Sequence, residues 1–260
     1  MTEYLKRITT GLCTVAAVVA TTTFAEPAEK AIPVDVAVTT DVLTDYAWRG
    51  QLLNDDPVVQ PGVTLSYKGL SLNVWGSVDA TDIHEVNGEE WRLQEVDYTG
   101  SYTFTPLKGL DLTGGIIEYT FPGTPYDNTR ELFGTVKLSE ILLAPTLSVY
   151  RDIDECDGWY ANLGVSHTFS ITEQLGLTLG ANAGWGDREY HEFYMGGLKK
   201  SALSDVQLAS TLTYAVTDWC SVSGYLRYSD FLNHDVREAA DETYAESGVI
   251  VGGVGISLCY

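Results

Sequence analysis

The chain has 260 residues, of which 36 are acidic and 15 basic, giving a formal charge of −21; 45% of its residues are hydrophobic. So negative a balance repels nucleic acid and anionic lipid headgroups, which sets nucleic-acid binding aside. Past the N-terminus no run of 18 apolar residues occurs, so no transmembrane helix is expected, although strands of about ten alternating residues cross a membrane without leaving such a run.

Lys6 and Arg7 precede an uncharged stretch from Ile8 to Ala25, which closes on Thr23-Phe24-Ala25 before Glu26-Pro27. A basic start, a short apolar core and a small final residue describe a secretory signal peptide over residues 1–25. Residues 26–33 are expected to be a periplasmic linker, and residues 34–260 one domain. Removing Glu3, Lys6 and Arg7 with the leader leaves 35 acids and 13 bases. Cys156, Cys220 and Cys259 remain; an odd number at wide spacing is neither a disulfide framework nor a zinc site.

From there the chain is a train of alternating segments. Twelve strands are predicted, at 34–49, 57–68, 70–80, 91–105, 110–121, 129–138, 145–152, 158–170, 175–187, 204–216, 219–230 and 247–260, with nothing helical beyond a turn. The alternation is clearest in LSLNVWGSVD, where Leu70, Leu72, Val74 and Val78 share one face and Ser71, Asn73, Ser77 and Asp79 the other. Connections alternate between short ones such as Lys68-Gly69 and Thr217-Asp218 and long ones such as 188–203 and 231–246. Sorting of this kind suits an up-and-down barrel with one end in a periplasm and the other outside, whereas a Greek-key sandwich has no cause to sort its loops. The fold class is therefore all-β: a transmembrane antiparallel up-and-down β-barrel of about twelve strands.

The apolar faces carry aromatics near their ends, as interfacial girdles require. Tyr46, Trp48, Trp159, Trp185, Tyr228 and Tyr260 are the predicted membrane-interface residues. The C-terminal VGGVGISLCY sets Val254, Ile256, Leu258 and Tyr260 on one face. It is similar to the terminal signature by which bacterial outer-membrane barrels are recognised for assembly, and implies the barrel-assembly machinery as a partner through Tyr260.

Asp45-Tyr46-Ala47-Trp48-Arg49-Gly50, then Pro57-Val58-Val59-Gln60, then Val74-Trp75-Gly76-Ser77-Val78-Asp79 resembles the N-terminal half of the TorF family of outer-membrane porins. Residues 38–80 carry nearly all of the match. The resemblance implies an outer-membrane location and a pore; it implies no solute.

On the inward parity stand Asp41, Asp45, Asp79, Glu95, Asp97, Asp111, Glu131 and Asp152, with Arg49, Lys137 and Arg227 as the bases. Eight acids against three bases would give a pore a preference for cationic or neutral small solutes. Two alternatives stay open: a plugged barrel with a structural or adhesive role, in which Arg49 and Arg227 bridge carboxylates, and a lipid-modifying barrel enzyme. For the enzyme, His167 is the histidine within a strand, but Ser166 lies on the opposite face and no serine stands two residues away. His84, His191 and His234 lie in long loops beside acids and could converge on a metal only if those loops met. RDIDECDG offers Asp152 and Asp154 as an imitation of a calcium loop, but Asp157 replaces the turn glycine and Leu163 the closing glutamate. No cofactor is expected, and the partners are outer-membrane lipids, the assembly machinery and small solutes.

Overall fold

The computed structural model describes residues 34–81, 91–244 and 246–260. The expected leader and linker, and the loop holding His84, lie outside the described residues. Twelve antiparallel strands close into a barrel. In chain order these are β1 (Asp35–Leu43), β4 (Val58–Tyr67), β5 (Leu70–Asp79), β6 (Arg92–Leu107), β7 (Leu110–Thr120), β8 (Thr129–Leu138), β9 (Thr146–Asp152), β10 (Trp159–Ser170), β11 (Leu175–Gly186), β12 (Ala202–Ala215), β13 (Cys220–Phe231) and β14 (Val249–Cys259). Each strand pairs with its sequence neighbour in the wall, and β1 closes the ring on β14 with Asp41 opposite Gly255 and Val42 opposite Val254.

Period-two alternation settles which side of the wall is greasy. Leu70, Leu72 and Val74 are 47, 53 and 46% exposed on the outside, while Asp79 on the inward parity is 2% exposed. The same inversion recurs at Leu163, Leu212, Leu226 and Ile256, all exposed. Inward, hydroxyl pairs bridge adjacent strands: Thr103 with Thr113, Thr135 with Ser148, Thr168 with Thr178 and Thr213 with Ser223, each at 2.9 Å.

The twelve wall strands follow the predicted rhythm, and short turns sit at one end, long loops at the other. Two features depart from it. β1 stops at Leu43, and a separate two-stranded hairpin follows, formed by β2 (Tyr46–Trp48) and β3 (Gln51–Asn54). Two long loops also contain helices, α1 (Arg188–Tyr194) and α2 (His234–Tyr244). Asp187 caps α1 by accepting from Tyr190 N at 2.8 Å, and Asn233 Oδ1 accepts from Asp235 N at the start of α2.

Candidate functional site

Between β2 and β3 the chain turns on Arg49 (φ 49°) and Gly50 (φ 81°). Two consecutive left-handed residues make the tight turn that suits a two-residue hairpin loop. The hairpin's neighbours place it inside the ring. Tyr46 meets Trp75 of β5 at 5.7 Å between centroids, and Trp48 meets Tyr119 of β7 at 6.2 Å and Tyr194 of α1 at 5.4 Å. Arg49 reaches β8, β9 and β10, while a Cβ on Gly50 would lie 2.7 Å from Asp205 of β12. One turn touches strands round so much of the ring only from within the lumen. The expectation that Tyr46 and Trp48 face the membrane boundary is thereby corrected: their alternation continues that of β1, but the chain has left the wall.

Arg49 pins the hairpin. Its guanidinium forms a two-pronged pair with Glu131, Nη1 to Oε1 at 2.8 Å and Nη2 to Oε2 at 2.7 Å, and both side chains are under a tenth exposed. Tyr119 also donates to Glu131, at 2.8 Å. The guanidinium carbon lies 4.2 Å from the Trp48 ring, 4.5 Å from Tyr150 and 4.2 Å from Tyr160. Planar stacking and fork geometry both favour arginine over lysine here. The next residues extend the anchorage: Gln51, fully buried, donates to the Tyr190 hydroxyl at 3.0 Å, and its Oε1 lies 2.6 Å from the Tyr244 hydroxyl of α2.

The other charged residues singled out from sequence divide into separate groups. Asp79 and Asp152 are almost wholly buried and cap their own loops, accepting from Thr81 N at 2.9 Å and from Asp154 N at 2.9 Å. Asp152 also takes the Thr129 hydroxyl at 2.7 Å. Asp111 accepts from Thr105 at 2.7 Å and stands opposite Lys137 in register near the short-turn end. Asp45 follows β1 at the base of the hairpin and is half-buried. Asp41, Asp97 and Arg227 converge on a cavity of about 300 Å³ beneath the hairpin. Tyr46, Trp48 and Trp75 supply its aromatic surfaces, Gln60 and Gln207 its amides. Glu95, two residues before Asp97, accepts from the Tyr46 hydroxyl. Trp159, Trp185, Tyr228 and Tyr260 are exposed on the outside, at 47, 39, 39 and 60%.

Above the hairpin, α1 and α2 form a lid-like cap. Met195, Phe231, Val236 and Ala240 pack together, while Tyr190 packs with Tyr160 and Cys156. His191 of α1 is fully buried, with Nδ1 2.6 Å from the Lys200 carbonyl and Nε2 3.3 Å from Ser204 Oγ. A carbonyl only accepts, so Nδ1 carries the proton and Nε2 accepts from Ser204. Burial pushes the His191 pKa below its ordinary value. This serine and histidine resemble half of a hydrolytic triad, but both are at 0% exposure, and a backbone carbonyl occupies the position of the orienting acid. Burial pushes the Cys156 thiol up to about 12, which makes it an inert packing group. Cys156, Cys220 and Cys259 are all free. His167 stacks edge-on against Phe169 at 4.6 Å, and His234 is exposed beside Asp235. Among the described residues no group of three or more His, Cys, Asp or Glu is arranged to hold a metal.

Gln51, Tyr190 and Tyr244 carry no local mark, because their partners lie 139 and 193 positions apart in the chain, and Ser204 meets His191 only once the loop between β11 and β12 has folded. A local signal did exist for the hairpin: Arg-Gly between two short alternating runs fits a two-residue turn.

Solved structures with the same architecture include the NanC porin, at TM-score 0.54 and 10% identity, covering 86% of this chain and 98% of that one. The KdgM porin matches at TM-score 0.51 and 10% identity over the same shares. At such identity the likeness is one of fold. No curated protein matches the chain. Residues 27–219 match a family described as bacterial protein of unknown function (Gcw_chp).

Proposed function

Because the chain belongs to the Gcw_chp family and closes a ring of twelve strands, we propose that it is an outer-membrane channel for passive diffusion of small cationic or neutral solutes, narrowed by the β2–β3 hairpin. The observation that carries this reading is the inverted wall, with leucines exposed outside and hydroxyls and carboxylates within. The resemblance of residues 38–80 to TorF-family porins supports it, as do the porin folds of NanC and KdgM. On this reading residues 1–25 export the chain, and Tyr260 presents it to the assembly machinery. Trp159, Trp185 and Tyr228 mark the outer interface, and Asp41, Glu95 and Asp97 bias the passage toward cations. No step in it requires chemistry at His167 or at the sealed pair of His191 and Ser204.

The test is single-channel recording in planar bilayers across a salt gradient. Discrete steps with a reversal potential of cation-selective sign are expected, and anion selectivity would overturn the assignment of the acids. A second reading follows from the Arg49 to Glu131 pair: the hairpin seals the lumen and the barrel serves a structural role. Silence of the unaltered protein, together with conduction after Arg49→Ala, would establish that reading instead.

A further inference from the structure

The cavity under the hairpin is lined by an acid and a base that form no ion pair with each other among the described residues. Asp97 Oδ1 is buried and accepts no hydrogen bond among the described residues, although the Asp97 carboxyl group shares a hydrogen bond with Glu95. Arg227, which also lines the cavity, forms no ion pair among them, and its guanidinium carbon lies 5.3 Å from the Tyr225 ring. Elsewhere in the lumen opposite charges quench each other at contact distance, as Arg49 and Glu131 do. Asp97 and Arg227 are kept apart by the ring itself, since β14, β1, β4 and β5 stand between β13 and β6 on the shorter way round. The Tyr46 and Trp75 rings, 5.7 Å apart and tilted, line the same cavity.

We propose that this cavity is a binding site for a small ω-amino acid, a zwitterion with its ammonium and carboxylate at opposite ends of a short methylene chain; the proposal deepens the channel reading and rests on it. The ammonium meets Asp97, the carboxylate takes the fork of Arg227, and the methylenes lie against the aromatic rings. A volume of about 300 Å³ is at the small end of ligand pockets, which suits a molecule of this size. A simple cation satisfies only the acidic wall and leaves the guanidinium without a partner. A compound with both charges on one carbon reaches only one wall at a time. Gln60 and Gln207 are already engaged with Ser77 at 3.4 Å and Ser229 at 3.3 Å, so they frame the site and leave the ends to the charges.

The experiment is calorimetric titration of the protein, folded in detergent, with 5-aminopentanoate, pentylamine, pentanoate and L-norvaline. Saturable binding of 5-aminopentanoate is expected, with each of the other three weaker by about tenfold or more, the scale of one charge-assisted hydrogen bond. Asp97→Asn and Arg227→Gln should each weaken 5-aminopentanoate about tenfold, while leaving pentanoate and pentylamine, respectively, closer to equal with it. Pentylamine binding as tightly as 5-aminopentanoate would overturn the proposal in favour of a plain cation site, and no saturable heat from any probe would overturn it outright. The four-probe comparison on unaltered protein needs no variant to fold. Conductance measured on the same preparation separates the two readings: binding without conduction removes the channel and keeps the site, and conduction without binding does the reverse.

Discussion

The two halves of the lumen are built on opposite principles. Toward the short turns, small hydroxylated residues recur on the inward side, paired across neighbouring strands by single bonds of 2.9 Å, with Asp111 opposite Lys137 among them. Toward the long loops, the interior is packed like a protein core, with Phe231, Tyr190, Met195 and Gln51 fully buried. The wall is the same ring throughout; what changes is whether a segment outside the wall has been folded back into it. The difference teaches that closing a barrel fixes its girth, whereas the space left inside it depends on what folds back, here a nine-residue hairpin, β2 and β3 with their turn.

Breaking the anchor tests that contrast most severely. Arg49→Ala leaves Glu131 buried and unpaired, which should cost about 3–5 kcal/mol of resistance to urea unfolding and enlarge the conductance step; unchanged conductance and midpoint would mean that the hairpin plugs nothing. Gln51→Leu strands the Tyr190 hydroxyl, while that of Tyr244 keeps the Tyr194 carbonyl at 2.7 Å, and should cost about 1–3 kcal/mol in the same unfolding assay. Acidification tests the cap alone. His191 has a lowered folded-state pKa, so the unfolded chain binds its proton more readily; stability contributed by neutral His191 is present above its unfolded value of 6.5 and is lost as pH falls below it. Limited proteolysis within residues 187–201 should therefore accelerate between pH 7.5 and pH 5, and His191→Gln should flatten that response. At the opposite end, Thr113→Val should change stability by about 0.5 kcal/mol or less, because a half-exposed hydroxyl pair facing water loses little. A cost like that of Gln51→Leu would show that the two halves are alike after all.

What could be read from the chain followed the solvent contrast. Leu70, Leu72 and Val74 alternate with Ser71 and Asn73 because lipid and lumen water lie on either side of one backbone, and that demand is written residue by residue. The hairpin escaped because Tyr46 and Trp48 keep the parity of β1, so a strand that leaves the wall looks like one that continues. Its only local mark was Arg49-Gly50. The helices escaped because α1 and α2 are short and polar, although Asp187 and Asn233 were legible caps. Asp79 and Asp152 illustrate the limit of parity: it gives the side on which a carboxylate lies, and not whether that carboxylate meets solute or its own loop.

Arg49 grips a residue 82 positions further along, and Gln51 one 193 positions further along. The hairpin therefore emerges early in synthesis as a passenger without a berth, since the groups that receive it belong to the middle and end of the polypeptide. Loop-closure entropy makes such distant encounters slow. Assembly should accordingly proceed in two kinetic stages, the ring first and the stopper afterwards, with a short-lived open vessel between them.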